Sequence, residues 1–214
     1  MRYLAPALLA ATLAATPSSA ADVLPYPSLA AWLADVKGRI PGEGSEAFVA
    51  PDAAELAEFT TCFGRLLDAR ADAATACLDR HGYDAGWVFD QGYGRWYLVA
   101  EERTVGARGL GSFAVAPRWA RNLMLAAPHP RFDAITPEVA AAVMQELDGR
   151  ALVVAGTHRC ANAAPSPCDG TTSVCMGQYR VSDAAHDEAS FVQAAHAAVP
   201  AATAAPLEIG RAHV

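Results

Sequence analysis

The sequence predicts an α/β fold, in which a mixed sheet is flanked by helices and preceded by a helical N-terminal segment. Three observations support this fold class. Residues up to about 82 follow the helical period of apolar side chains, whereas short runs of aromatic and β-branched residues begin after them. Between Asn122 and Ala155, an apolar run, a helical pattern and a second apolar run follow one another, which is the order of a βαβ unit.

The first third of the chain contains three helical patterns. Ser28 to Lys37 has an amphipathic spacing, and its first residue is a good N-cap. Asp52 to Leu67 repeats the pattern, and the pair Asp52 and Glu55 has the spacing of a capping box. Ala71 to Asp79 completes the set. We therefore expect residues 22–82 to be helical.

The period then changes to that of strands. Trp87 to Phe89 and Arg95 to Ala100 are separated by the turn-forming residues Gln91 to Gly94, which predicts a hairpin. Gly111 to Val115 is a further strand candidate, and Asn122 to Ala126 has the unbroken apolar character of a buried strand.

A helix and a second buried strand follow. Thr136 to Leu147 begins with a residue that can serve as the N-cap, and Pro137 suits the first helical position. Val139, Val143 and Leu147 share one face of this helix. Ala151 to Ala155 is the second buried strand, and Glu188 to Val199 predicts a final helix beyond a long loop.

The start of the chain has the features of a secretory signal peptide, residues 1–21. A short positive region at Met1 and Arg2 precedes the apolar run Leu4 to Ala15, and small residues that suit a signal peptidase follow. The run is shorter than the roughly 20 residues that a membrane-spanning helix needs. We therefore expect an exported protein, periplasmic or extracellular, with no membrane span in its mature form.

The net charge of −7 argues against a nucleic-acid partner, because such proteins neutralise phosphates with a basic surface. The five cysteines all lie in the expected mature chain, where an oxidising compartment favours disulfides. Cys62 and Cys77 lie on successive helical patterns, so we expect them to pair. The pairing of Cys160, Cys168 and Cys175 stays open.

The last seven residues, Glu208 to Val214, read EIGRAHV and look like the translation of a sequencing adapter. On this interpretation the α/β domain, residues 83–207, is incomplete at its C-terminus. The alternative is that residues 208–214 are a natural disordered tail.

Polar side chains follow the two buried strands and gather again after the long loop. Because ligands of open α/β sheets bind beyond the carboxyl ends of the strands, these positions are candidates for a site. Imidazole and carboxylate are ligands that zinc accepts, and arginine suits a substrate carboxylate. The candidates are His129, Asp133, His158, Arg159, Asp183 and His186.

The candidates also have purely structural alternatives. His129 lies between two prolines and could simply hydrogen-bond a turn. Asp133 could cap the helix at Thr136, and His158 could be satisfied by backbone groups. Arg159 could pair with Asp133 or Asp183. His186 could simply begin the final helix.

Two segments resemble a known group of enzymes. APHPRFDAIT, residues 127–136, and ALVVAGTHR, residues 151–159, are similar to the poly-γ-glutamate hydrolase and N-formylglutamate amidohydrolase relatives of the zinc carboxypeptidases. The resemblance implies a zinc-carboxypeptidase-like fold. It also implies that His129 and Asp133 bind zinc, with His186 as the candidate third ligand. The glutamate that acts as general base in such enzymes is expected beyond Leu207.

Together these observations predict a zinc-dependent hydrolase that cleaves an amide bond in a peptide-like or cell-envelope substrate. His158, Arg159 and Asp183 are then the candidate substrate-binding residues. Two alternatives remain open: a metal-independent esterase or phosphatase that uses the same residues, and a non-catalytic envelope binding protein in which they form a structural network.

Overall fold

The structure, a computed structural model, describes residues 21–201 and 208–211, with side chains up to residue 199. Residues 1–20, which hold nearly all of the expected signal peptide, lie outside the described residues, as do 202–207 and 212–214. Among the described residues, no helix combines the length and the apolar character that crossing a bilayer requires.

The three helical patterns of the first third are confirmed as α1 (Leu29–Arg39), α2 (Ala53–Leu67) and α3 (Ala71–Leu78). Ser28 caps α1, since its side chain accepts a hydrogen bond from the backbone of Ala31. The capping box of α2 is formed in both directions between Asp52 and Glu55.

Six strands form one mixed sheet in the order β1-β2-β3-β5-β4-β6. The neighbours β1 to β2, β2 to β3 and β3 to β5 are antiparallel, whereas β4 is parallel to both β5 and β6. The strands are β1 (Tyr83–Asp90), β2 (Arg95–Glu102), β3 (Ser112–Val115), β4 (Arg121–Ala127), β5 (Gly149–Val154) and β6 (Glu208–Arg211).

The expected hairpin and βαβ unit are both present. The hairpin joins β1 to β2 through four residues, because Asp90 is the register partner of Arg95. In the βαβ unit, β4 leads through α4 (Thr136–Glu146) to its parallel neighbour β5. Ala127 is the register partner of Val154, so the loops after both strands leave the sheet at the same edge.

Part of the segment that we interpreted as an adapter artefact forms a strand in the structure. Residues 208–211 are β6, which pairs with β4 in parallel from Leu123 to Ala126.

Helices cover both faces of the sheet and form two hydrophobic cores. On one face α2, α3 and α5 (Phe191–Ala201) pack around the clustered rings of Phe59, Phe63, Phe113 and Phe191. On the other face α1 and α4 pack against side chains of alternate strand positions, among them Tyr97 and Leu152. The N-terminal helices therefore belong to the same two cores as the sheet.

One expectation for α4 is wrong, and the buried face of this helix is not the one that Val139, Val143 and Leu147 share. Thr136 is not the N-cap, because Ile135 occupies that position and the Thr136 hydroxyl instead donates to the backbone oxygen of Asp133 at 2.9 Å. The buried face carries Ala140, Ala141 and Met144, whereas Val139 and Leu147 are exposed and Val143 is partly buried against the second core. Because the alanine side chains are small, this face lets the helix approach the sheet closely, which explains why it is the buried one.

Two disulfides are present. Cys62 pairs with Cys77 as expected, which links α2 to α3. Of the pairings left open, the structure contains Cys160 with Cys175, and Cys168 is a free, exposed thiol. Such cross-links are compatible with an exported protein, because they persist in oxidising compartments.

Candidate metal centre

The parallel pair of strands explains why distant residues meet. His129 follows β4 by two residues, and His158 and Arg159 lie in the segment after β5. The long loop that starts at Cys160 then returns to this edge and brings Asp183 and His186 beside His129.

His129 lies between two carboxylates and is 2% exposed. Its Nδ1 atom is 3.3 Å from Oδ2 of Asp133, and its Nε2 atom is 2.8 Å from Oδ1 of Asp183. The Asp133 backbone N–H donates to the His129 carbonyl at 2.8 Å, so the turn itself holds the two side chains together. The tautomer of the ring decides which nitrogen donates its proton.

Asp183 is the central residue of the cluster and is 1% exposed. Its Oδ2 atom accepts from Nε and Nη2 of Arg159 at 3.1 and 2.6 Å, and its Oδ1 atom faces the two histidines. Burial alone would raise the pKa of the Asp183 carboxyl, but His129, His186 and Arg159 outweigh it and hold that pKa at about 2. The carboxyl group is therefore ionised at neutral pH.

His186 completes the group. Its Nδ1 atom is 3.2 Å from Oδ1 of Asp183, yet this buried nitrogen makes no hydrogen bond of acceptable geometry. The ring stacks on Tyr179 with 3.8 Å between centroids and 8° between planes. A buried nitrogen without a hydrogen bond is costly, so it is a good candidate for a metal bond.

His129, Asp183 and His186 form a group that could hold a metal ion. Each offers one ligand atom, and these atoms lie within 4.8 Å of one another. Two imidazoles and one carboxylate form a ligand set typical of catalytic zinc. Zinc–nitrogen bonds near 2.0 Å in a tetrahedral arrangement separate the ligand atoms by about 3.3 Å, close to the 2.8 and 3.2 Å found around Asp183.

The structure thus gives two carboxylates different positions from those we expected. Asp183, expected to contact substrate, lies in the candidate ligand group, whereas Asp133, expected to bind metal, contacts the opposite nitrogen of His129. Arg159, expected to bind substrate, forms the pair with Asp183 that we had kept as its structural alternative.

His158 lies beside the group and is 9% exposed. Its Nδ1 atom accepts from the backbone N–H of Cys160 at 3.1 Å, and its ring meets Phe132 edge-on at 5.7 Å. Burial lowers the pKa of the His158 imidazole, and the nearby charges of Arg131, Arg159 and His129 lower it further against the opposing Glu43. His158 is therefore neutral at pH 7.

Sequence reasoning missed Tyr179 and gave Asp187 no role. Nothing in the sequence marks Tyr179, because its stacking partner His186 is reached only through the fold of the loop. Asp187 directly follows His186 and is 2% exposed. One of its oxygens accepts from the Ala189 backbone, and the other has no hydrogen bond.

Comparison with protein families, with curated proteins and with solved structures finds no match to this chain. The resemblance to zinc hydrolases over residues 123–159 therefore stays a prediction, and the case for a function depends on the chemistry of the cluster itself.

Proposed function

We propose that the protein is an exported zinc-dependent hydrolase that cleaves an amide bond in a peptide-like or cell-envelope substrate. The observation that carries the proposal is the buried carboxylate of Asp183, with one oxygen facing both His129 and His186. In a catalytic site, zinc held by three such ligands polarises a carbonyl group and makes water a nucleophile near neutral pH.

Neighbouring side chains can orient these ligands through hydrogen bonds. Asp133 can accept the Nδ1 proton of His129, which leaves the Nε2 lone pair directed toward the cluster. Arg159 binds only the Oδ2 atom of Asp183, so Oδ1, which accepts the Ala185 backbone N–H at 3.3 Å, keeps a second lone pair for a cation. Two of the three candidate ligands, His129 and Asp183, are thus oriented by a second residue, as in many zinc sites.

A metal-independent esterase is less well supported. A serine hydrolase needs a histidine nitrogen that takes the proton of the nucleophile. Both ring nitrogens of His129 lie against carboxylates, and Nδ1 of His158 accepts from the backbone of Cys160. Neither histidine therefore has the arrangement of such a base.

A non-catalytic binding protein is the second candidate. The observation that favours it is the ion pair of Arg159 with Asp183, which compensates much of the buried charge without any metal. In that case the cluster is a structural network, and removal of a histidine would lower stability without changing metal content.

Hydrolysis and its dependence on zinc test the proposal directly. The secreted full chain is incubated with N-acylated dipeptides and with peptidoglycan stem peptides, and released amines are measured by fluorescamine and mass spectrometry. We expect amine release that 1,10-phenanthroline abolishes and added zinc restores. Asp183→Asn and His186→Gln should be inactive, whereas His196→Gln, on α5, should match the wild type.

The outcomes separate the candidates. Hydrolysis that persists in chelator would favour the metal-independent enzyme. A wild-type protein that neither hydrolyses these amides nor binds zinc would favour the structural network.

A further inference from the structure

The long loop between β5 and α5 holds His186 in place. The Tyr179 ring stacks on the imidazole, and the Ser166 hydroxyl donates to the His186 carbonyl. Ser166 and Tyr179 are themselves joined, because the Ser166 N–H donates to the Tyr179 carbonyl at 2.9 Å. Side chain and backbone of His186 are therefore fixed by the same two residues.

The arms of this loop are tied together by Arg180, which is 7% exposed. Its Nε and Nη2 atoms donate to the Cys175 carbonyl at 3.1 and 2.7 Å, and its Nη1 atom donates to the carbonyl of Ala163. The Arg180 carbonyl in turn accepts from the Asp183 N–H at 2.8 Å. Arg180 thus connects the loop to the central carboxylate.

The Cys160–Cys175 disulfide closes the loop, and each of its two cysteines is connected to Asp183. Cys160 directly follows Arg159, which binds the Asp183 carboxylate. Cys175 is linked to Asp183 through Arg180. Without the disulfide, the two sides that hold Asp183 and His186 would lose their covalent link and keep only non-covalent contacts, such as the hydrogen bonds of Arg180.

We propose that the Cys160–Cys175 disulfide and the positioning residue Tyr179 hold Asp183 and His186 in the geometry that binds the cation, so that zinc affinity depends on this disulfide. This inference rests on the proposed function, since the cation is that of the proposed centre. A chain whose cysteines are still reduced then binds zinc weakly, and the centre becomes competent only once the disulfide has formed.

The second disulfide provides a matched control. Cys62–Cys77 spans the same sequence separation, 15 residues, and links α2 to α3 on the face of the sheet that these helices share with α5. Removing either disulfide therefore frees a loop of equal length and costs similar chain entropy. Of the two disulfides, Cys160–Cys175 is the one connected to the candidate centre, through Arg159 and Arg180, so a difference in zinc affinity cannot come from loop entropy alone.

The experiment compares zinc dissociation constants, measured by competition with a chromophoric chelator on metal-free full chain. All proteins carry Cys168→Ser, because that exposed thiol could exchange with the disulfides. We expect Cys160→Ser with Cys175→Ser to weaken zinc binding about 10- to 100-fold, the usual cost of losing the support of a metal ligand. Cys62→Ser with Cys77→Ser should leave the dissociation constant unchanged. Equal affinities in the two double variants would overturn the inference.

Variants of Tyr179 test the same inference with the disulfide intact. If near-ultraviolet circular dichroism shows that the disulfide variant is unfolded, the Tyr179 variants decide whether the inference holds. Tyr179→Leu removes the stack and should weaken zinc binding about 10-fold, while Tyr179→Phe keeps the ring and should restore it. The visible absorption of bound Co²⁺ should change in the Leu variant alone. Unchanged affinity and spectrum in that variant would reject the inference only, whereas a wild type that binds no zinc would reject the centre itself.

Discussion

Asp183 and His129 are 54 residues apart in the chain, yet Oδ1 of the carboxylate lies 2.8 Å from Nε2 of the imidazole in the protein interior. The contact joins the loop after β4 to the far end of the long loop after β5. Arg159 contacts the other oxygen of the same carboxylate. Loss of this one negative charge would therefore leave the largely buried guanidinium of Arg159 without its counter-charge.

Asp183→Asn should destabilise the metal-free protein by about 3 kcal/mol, because removing one partner of a buried ion pair leaves the other charge uncompensated. Urea denaturation at pH 7 measures the change. Asp133→Asn is the matched control, since it removes a charge from the other side of His129 at a more exposed position. Its effect should be about 1 kcal/mol. Equal losses in the two variants would show that Asp183 is not the centre of the network.

The ion pair of Glu55 with Arg108 should make stability depend on pH in the acid range. The hydrogen bond from Arg108 to the Glu55 carboxylate, together with one from the Asp52 backbone, lowers the pKa of Glu55 from 4.5 to about 2. Because the pKa is lower in the folded state, the stabilisation is present above about pH 4.5 and is lost as the pH falls toward 2.

Glu55→Gln should therefore lower the free energy of unfolding by up to about 1 kcal/mol at pH 7, and by less at pH 3. Urea titrations of both proteins at the two pH values measure the difference. Arg108→Gln removes the other partner and should show the same dependence. A difference in unfolding free energy that is the same at pH 3 and pH 7 would contradict the lowered pKa of Glu55.

Gly156 should not tolerate a side chain, because it lies where the end of β5 passes another backbone segment. A Cβ atom there would be 2.4 Å from the nitrogen of Gly111 and 2.5 Å from the carbonyl carbon of Gly109. We expect Gly156→Ala to cost about 3 kcal/mol, as overpacking does. Gly64→Ala is the control: it lies within α2 with open space around it, so alanine should stabilise by about 0.5 to 1 kcal/mol.

The packing of α4 predicts opposite responses from two apolar residues of one helix. Met144 is 1% exposed against the sheet, whereas Val139 is 41% exposed. Met144→Ala should cost about 2 to 5 kcal/mol by opening a cavity, and Val139→Ala should stay within about 0.5 kcal/mol of the wild type. Thermal unfolding of both variants measures this. A larger loss of stability for Val139→Ala than for Met144→Ala would contradict the assignment of the buried face of α4.

Contacts that are local in the chain could be predicted from the sequence. The capping box of Asp52 and Glu55 spans three residues, and the hairpin turn between Asp90 and Arg95 spans five, so the spacing itself carries the information. The βαβ unit was likewise evident from the order of its apolar runs. The face of α4 was not, because periodicity gives several apolar stripes and the sheet selects the one that fits.

The candidate site was predictable in location but not in detail. The rule that ligands bind beyond the carboxyl ends of strands placed His129 and Arg159 at one edge. The partner of His129 was not evident, because Asp133 is close in sequence whereas Asp183 arrives through a long loop. The course of that loop depends on the Cys160–Cys175 pairing, which cysteine spacing alone does not determine.

The most direct test of the central claim is a calorimetric titration of the metal-free, secreted chain with zinc at pH 7. We predict one zinc ion per chain for the wild type, loss of this binding in His186→Gln, and unchanged binding in His196→Gln. Absence of binding by the wild type, or equal binding in His186→Gln, would contradict a metal centre formed by His129, Asp183 and His186.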